Sequence, residues 1–135
     1  MPQITLPATI ENIEPATDFM NGLLEKAGCP MRVQIQLAVA LDELLSNVAR
    51  YAYAPGTGDV TLAVEIREDP RRAVLTITDG GVPYDPLKKE DPDITLSADE
   101  RRIGGLGIFI VKKSMDEMTY AFENGCNVLT IVKLF

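Results

Sequence analysis

The stretch DVTLAVEIREDPRRAVLTITD, Asp59 to Asp79, decides the fold. Residues 59–67 and 73–79 are rich in Val, Ile, Leu and Thr and largely alternate, as half-buried strands do. Between them Glu68-Asp69-Pro70-Arg71 reads as a turn. Strands joined by so short a connection pair antiparallel, because a parallel crossover needs a dozen residues or more. A sheet built on such hairpins has one face to cover, and the flanking sequence supplies the helices.

Upstream, Ile13, Ala16, Phe19, Met20, Leu23, Leu24 and Ala27 recur at helical spacing and Gly28 closes the segment. A longer helix is predicted from about Pro30 to Tyr53, with Val33, Leu37, Leu41, Leu44, Leu45 and Val48 on its buried side. Residues 3–7 alternate before a proline and read as an edge strand. Pro55-Gly56-Thr57-Gly58 is a turn. Downstream, 80–103 loses periodicity and gathers Gly, Pro and charge; a loop of that length in a compact domain is usually functional, often a lid. A helix follows from Gly104 to Met115, then strands near 117–123 and 127–134. The expected architecture is a two-layer α/β (α+β) sandwich, a mixed, mainly antiparallel sheet covered on one face by helices, with 1–135 forming a single domain.

Composition narrows the chemistry. At 135 residues, 46% hydrophobic and 24% charged, the chain suits one globular domain with a real core. It has no histidine, which removes phosphohistidine chemistry, Ser-His-Asp triads and imidazole metal sites. Cys29 and Cys126 show no metal-ligand spacing and are expected as reduced packing residues. A net charge of −7 argues against a nucleic-acid surface, yet a nucleotide can still be held through Mg²⁺ and backbone N–H groups. No apolar run is long enough to span a membrane, and Met1-Pro2-Gln3-Ile4-Thr5 lacks the basic start of a signal peptide, so the expected location is cytoplasmic.

Three elements carry candidate chemistry. Glu43 and Asn47 stand four apart on the long helix and share a face, where Asn47 could give an oxygen to Mg²⁺ and Glu43 could orient or deprotonate a hydroxyl. Polar residues so placed are also common on ordinary exposed helix faces. Asp79 ends its strand before Gly80-Gly81; a carboxylate there can accept from the exocyclic amine of adenine, or form a plain Asp-Gly turn. Gly104-Gly105-Leu106-Gly107 opens a helix whose free N–H groups could meet phosphate oxygens. It is not a P-loop, lacking Gly-Lys-Ser/Thr, nor a dinucleotide turn.

In this order the three elements resemble a family. Leu41-Asp42-Glu43-Leu44-Leu45-Ser46-Asn47 is similar to the N box of GHKL ATPases. Asp79-Gly80-Gly81-Val82-Pro83-Tyr84-Asp85-Pro86 resembles the first glycine box in the form found in anti-sigma-factor serine/threonine kinases. Arg102-Ile103-Gly104-Gly105-Leu106-Gly107-Ile108-Phe109, followed by Met115-Asp116, resembles the second, and Tyr120 with Gly125-Cys126-Asn127-Val128-Leu129-Thr130 fits the closing hairpin. The resemblance covers nearly the whole chain. It implies a Bergerat-type ATP fold with 80–103 as ATP lid, Glu43 as catalytic base and Asn47 as Mg²⁺ ligand. It further implies Asp79 as adenine reader, with Gly81, Gly104, Gly105, Leu106 and Gly107 contacting nucleotide. Arg101 and Arg102 are the lid candidates for the γ-phosphate or a partner. Many relatives carry His where Tyr51 stands and Ala where Val48 stands, which leaves the subfamily open.

Members of that family phosphorylate a serine or threonine of a small anti-anti-sigma (STAS-type) protein, sequester a sigma factor, and often form homodimers. The resemblance thus implies an ATP- and Mg²⁺-dependent protein kinase in a partner-switching pathway. The alternative is a non-catalytic module that uses ATP only to set its affinity for a protein partner. Glu43 favours catalysis, because binding alone needs no base.

Overall fold

The computed structural model describes residues 2–88 and 105–135. Its elements are β1 (Gln3–Pro7), α1 (Ile13–Lys26), α2 (Met31–Asn47), β2 (Asp59–Arg67), β3 (Arg72–Asp79), α3 (Gly105–Ser114), β4 (Glu117–Glu123) and β5 (Cys126–Leu134). Short 3₁₀ turns lie at Ile10–Asn12 and Pro86–Lys88. Apart from the C-terminal end of the long helix, the expected elements are present within a residue or two of their predicted ends.

The five strands form one sheet in the order β1-β2-β3-β5-β4, and each neighbouring pair is antiparallel. The mixed sheet expected from sequence is therefore antiparallel throughout. The physical reason is where β5 lies. β3 and β4 run in the same direction, but β5 returns through a tight hairpin and inserts between them, antiparallel to both. That hairpin turns on Asn124-Gly125, both at positive φ (54° and 77°), the backbone a two-residue loop demands and Asn-Gly supplies most readily. The insertion sets Asn127 directly opposite Asp79.

The core lies between one sheet face and the helices. Alternate residues of the central strands point into it: Val60, Leu62 and Val64 from β2, Ala73, Leu75 and Ile77 from β3, Leu129 and Ile131 from β5. They meet Ile13, Ala16, Met20 and Leu24 of α1, and Val33, Leu37, Leu41, Leu44 and Leu45 of α2, spaced by three and four residues. Ile108, Val111 and Met115 complete the layer from α3 and its end. Each buried Val, Leu, Ile or Met of this set contributes about 1.5–3 kcal/mol on burial. This packing holds α2 rigidly over the sheet, with its polar positions at fixed points along the seam. Cys29 is buried in the core, where desolvation raises its thiol pKa, and both cysteines are free thiols. Among the described residues no helix is long and apolar enough to cross a membrane.

The long helix departs from expectation at its end. The α-helix stops at Asn47, and Val48–Ala52 form a wider π turn. The apolar pattern continues through this segment, so periodicity alone reads it as more α-helix. Its backbone is recruited elsewhere: the Val82 N–H donates to the Ala52 carbonyl at 2.9 Å. Of the expected lid, 80–88 are described, while Arg101, Arg102, Ile103 and Gly104 lie outside the described residues.

Candidate functional site

Two clusters of polar residues meet at a cavity under the π turn. The first sits on α2. Leu41, Leu44 and Leu45 are buried against the sheet, which directs Glu43 and Asn47, both half-buried, along the opposite edge of the helix. The Asn47 Nδ2 donates to Glu43 Oε1 at 3.4 Å, leaving the amide oxygen as the atom suited to a cation. α3 closes over the carboxylate. A Cβ added at Gly107 would overlap the Glu43 carboxyl group itself, so only glycine lets the first turn of α3 approach so closely. Helix N-termini carry unpaired N–H groups and a positive dipole end, and here that end faces Glu43.

The second cluster sits at the end of β3. Asp79 is 6% exposed, and its Oδ1 accepts from the Gly81 N–H at 2.9 Å and from Asn127 Nδ2 at 3.0 Å. The turn after it is held from both sides. Gly81 passes so near Ala52 that a Cβ would collide with the Ala52 carbonyl. The Tyr53 hydroxyl accepts from the Gly80 N–H at 2.7 Å and donates to the Asp59 carbonyl at 2.5 Å. Burial pushes the Tyr53 hydroxyl above its ordinary range, with the nearby Asp79 and Asp59 carboxylates acting in the same direction.

Asn127 joins this cluster to the loop. Its Nδ2 also donates to the Val82 carbonyl at 2.8 Å, and its Oδ1 accepts from the Tyr84 N–H at 3.0 Å and from the Tyr120 hydroxyl. Both amide ends are thus satisfied, and the reversed amide would set oxygen against oxygen at Asp79 and Val82.

Between the clusters lies a cavity of about 120 Å³. Leu44, Ile77 and Leu129 line it from the core side and Val48, Tyr51 and Tyr84 contribute further wall, with Asn47, Asp79 and Asn127 as its polar groups. An apolar slot with a buried acceptor suits a flat heterocycle that presents an N–H donor. The residues present fit a nucleotide held with a divalent cation: Asp79 could accept from the base and Asn47 could offer one oxygen, both from the wall of the same cavity. Among the described residues no group of three or more acidic or cysteine side chains could hold a metal ion alone. Mg²⁺ commonly takes few protein ligands and completes its shell from phosphates and water.

The structure therefore brings Glu43, Asn47 and Gly107 into one cluster, and Asp79 and Gly81 into another, with Asn47 and Asp79 facing the same cavity. Gly105 opens α3 and Leu106 follows it, while Arg102 and Gly104 lie outside the described residues. Sequence reasoning missed Asn127 and Tyr53 as parts of the site. One signal was available: asparagine is disfavoured in strands, and Asn127 stands near the start of β5 among alternating apolar residues.

Comparison with known proteins identifies the family. Residues 6–133 match the histidine kinase-like ATPase domain family. The chain is 30% identical over 100 residues to the serine/threonine-protein kinase BtrW of Bordetella bronchiseptica, covering 74% of this chain and 70% of that protein. It is 26% identical over 131 residues to the serine-protein kinase RsbW of Listeria monocytogenes, and 27% over 130 residues to RsbW of Staphylococcus aureus, each covering 93% of this chain and 82% of the relative. The antiparallel sheet and its helical layer are consistent with such an ATPase domain, and the chain belongs to the histidine kinase-like (GHKL) ATPase family.

Proposed function

We propose that the chain is an ATP- and Mg²⁺-dependent serine/threonine kinase that phosphorylates a small anti-anti-sigma, STAS-type protein and acts as an anti-sigma factor in partner switching. One observation carries the catalytic part: a half-buried carboxylate, Glu43, is held by Asn47 and capped by the Gly107 backbone beside the cavity. A module that only bound nucleotide would need the Asp79 acceptor and the Asn47 oxygen, but no positioned base.

When bound, Mg·ATP supplies the phosphoryl group and the neutralising charge. The protein's part is positioning and electrostatics, as phosphoryl transfer demands. Asp79 would accept from the adenine amine and hold the base in the apolar slot. Asn47 would offer its amide oxygen to the cation while its nitrogen orients Glu43. Glu43 would hold and accept the proton of the partner's serine or threonine hydroxyl. Met31, Ile35 and Val39 are exposed along α2 at four-residue intervals, and Glu43 is the next position of that row. A folded protein substrate thus has an apolar approach to the carboxylate.

Glu43→Gln keeps size and shape but removes the proton acceptor. It is expected to bind ATP within a few-fold of the parent and to transfer phosphate about 100-fold more slowly. Transfer of labelled γ-phosphate to an anti-anti-sigma protein, with calorimetric ATP binding in parallel, tests this. A parent that binds partners only with ATP present but never phosphorylates them would sink the kinase reading and leave a nucleotide-dependent switch.

A further inference from the structure

Asn127 is 6% exposed on β5, and every hydrogen-bonding position of its carboxamide is used. An apolar residue there would satisfy the alternation of the strand at lower cost, since a buried amide is tolerated only when all its groups are paired. Those partners fall into three sets: the carboxylate of Asp79, the hydroxyl of Tyr120 on β4, and backbone just beyond Asp79, the carbonyl of Val82 and the N–H of Tyr84. The bonds therefore do more than close a sheet. They fix how the Asp79 carboxylate is rotated and where the following loop departs.

The rotation matters because Asp79 Oδ1 takes both of its donors, Gly81 N–H and Asn127 Nδ2. Oδ2 carries no hydrogen bond among the described residues, and Asp79 lines the cavity. Without the amide, Oδ1 keeps one donor and the carboxylate can turn about χ2, a soft torsion for an sp³–sp² bond.

We propose that Asn127 is the positioning residue of the base-binding cavity: its carboxamide locks the Asp79 carboxylate with one oxygen directed to the ligand and ties that acceptor to the backbone at Val82 and Tyr84. The inference rests on the adenine-reading role given above to Asp79. Base selectivity then depends on a residue that touches Asp79 rather than the base. An exocyclic amine meets a fixed acceptor, whereas the carbonyl oxygen of guanine meets a fixed negative charge. Loosening the carboxylate removes both the reward and the penalty.

The test uses Asn127→Ala and Asn127→Ser, the latter retaining one hydroxyl donor, both checked for cooperative unfolding. ATP and GTP binding are measured by calorimetry, and backbone amide exchange is measured by NMR without nucleotide. Asn127→Ala is expected to weaken ATP binding about ten- to a hundredfold while leaving GTP binding at least as tight as the parent's, so that discrimination collapses. Asn127→Ser should recover part of it. Exchange at Gly81, which bonds Asp79 and not Asn127, should speed up in Asn127→Ala. Equal weakening of both nucleotides would mean general damage to the cavity and would overturn the proposal, as would unchanged ATP binding. If the parent binds neither nucleotide, the functional reading falls, and exchange at Gly81 still decides whether Asn127 holds Asp79: unchanged protection refutes it. If Asn127→Ala does not fold, Asn127→Ser is judged by the same two measurements.

Discussion

Gly107 and Gly81 both face close neighbours, and the same substitution is expected to act on them in different ways. A Cβ at Gly107 would land on the Glu43 carboxyl group, the far end of a flexible side chain; a Cβ at Gly81 would land on the backbone carbonyl of Ala52. For Gly107→Ala the terms nearly cancel. Alanine in place of glycine favours a helix by about 1 kcal/mol, and moving Glu43 off its rotamer costs about 0.5–1.5 kcal/mol. Stability should therefore stay within about 1 kcal/mol of the parent, which is a few degrees in Tm at this size. Function should not survive as well, because the displaced carboxylate can no longer meet the incoming hydroxyl. Transfer is expected to fall about 100-fold, the scale for misplacing a base, with ATP affinity little changed. At Gly81 no side chain can yield. The turn must back away from the π turn, stretching the Val82 N–H bond to Ala52, so Gly81→Ala should lose about 1–3 kcal/mol and weaken ATP binding. Urea unfolding, calorimetry with ATP and labelled-phosphate transfer measure all three quantities on both variants. Gly107→Ala with parental transfer would refute the idea that α3 fixes Glu43, and Gly81→Ala with parental stability would refute the close approach at Ala52.

Other expectations follow from single contacts. Asn47→Ala should keep the fold yet reduce the gain in ATP affinity that Mg²⁺ provides; calorimetry with and without Mg²⁺ reads this, and an undiminished gain would remove Asn47 from the site. Tyr53→Phe leaves the Gly80 N–H and the Asp59 carbonyl without their shared hydroxyl and should cost about 1–3 kcal/mol in denaturant unfolding, unless water replaces it. Because folding raises the Tyr53 pKa, its contribution is complete below the ordinary tyrosine range and is lost as pH rises through the raised value; the parent should thus lose more stability at alkaline pH than Tyr53→Phe does. Leu75→Ala, in the fully buried centre of β3, should cost about 2–5 kcal/mol and lower ATP binding only through unfolding.

What the sequence made legible was whatever a local physical rule encodes. Helical spacing along 13–27 and 30–47 follows from the need to bury one face, and Asn124-Gly125 announces its own turn through φ. Glu43 and Asn47 share a helix face by spacing alone, and the structure adds the hydrogen bond between them. The π turn at Val48–Ala52 was hidden because its apolar residues continue a helical pattern, while the departure is caused by partners thirty residues on, Gly80 and Val82.

Strand order is where local rules stop. Nothing within 126–134 says that this strand inserts between β3 and β4, since either edge would bury its alternate apolar residues equally well. Yet that choice creates the Asp79–Asn127 pair. Asp79 can be picked out as a candidate beside its glycines, although Asp-Gly there reads equally as a plain turn. Asn127 acquires meaning only from the residue across the ladder. The part of the site legible in sequence is thus the part that would touch a ligand directly, carried on short motifs. The part that aims those residues comes from register and from α3 packing on α2, which belong to the assembled sheet and helices rather than to any one segment.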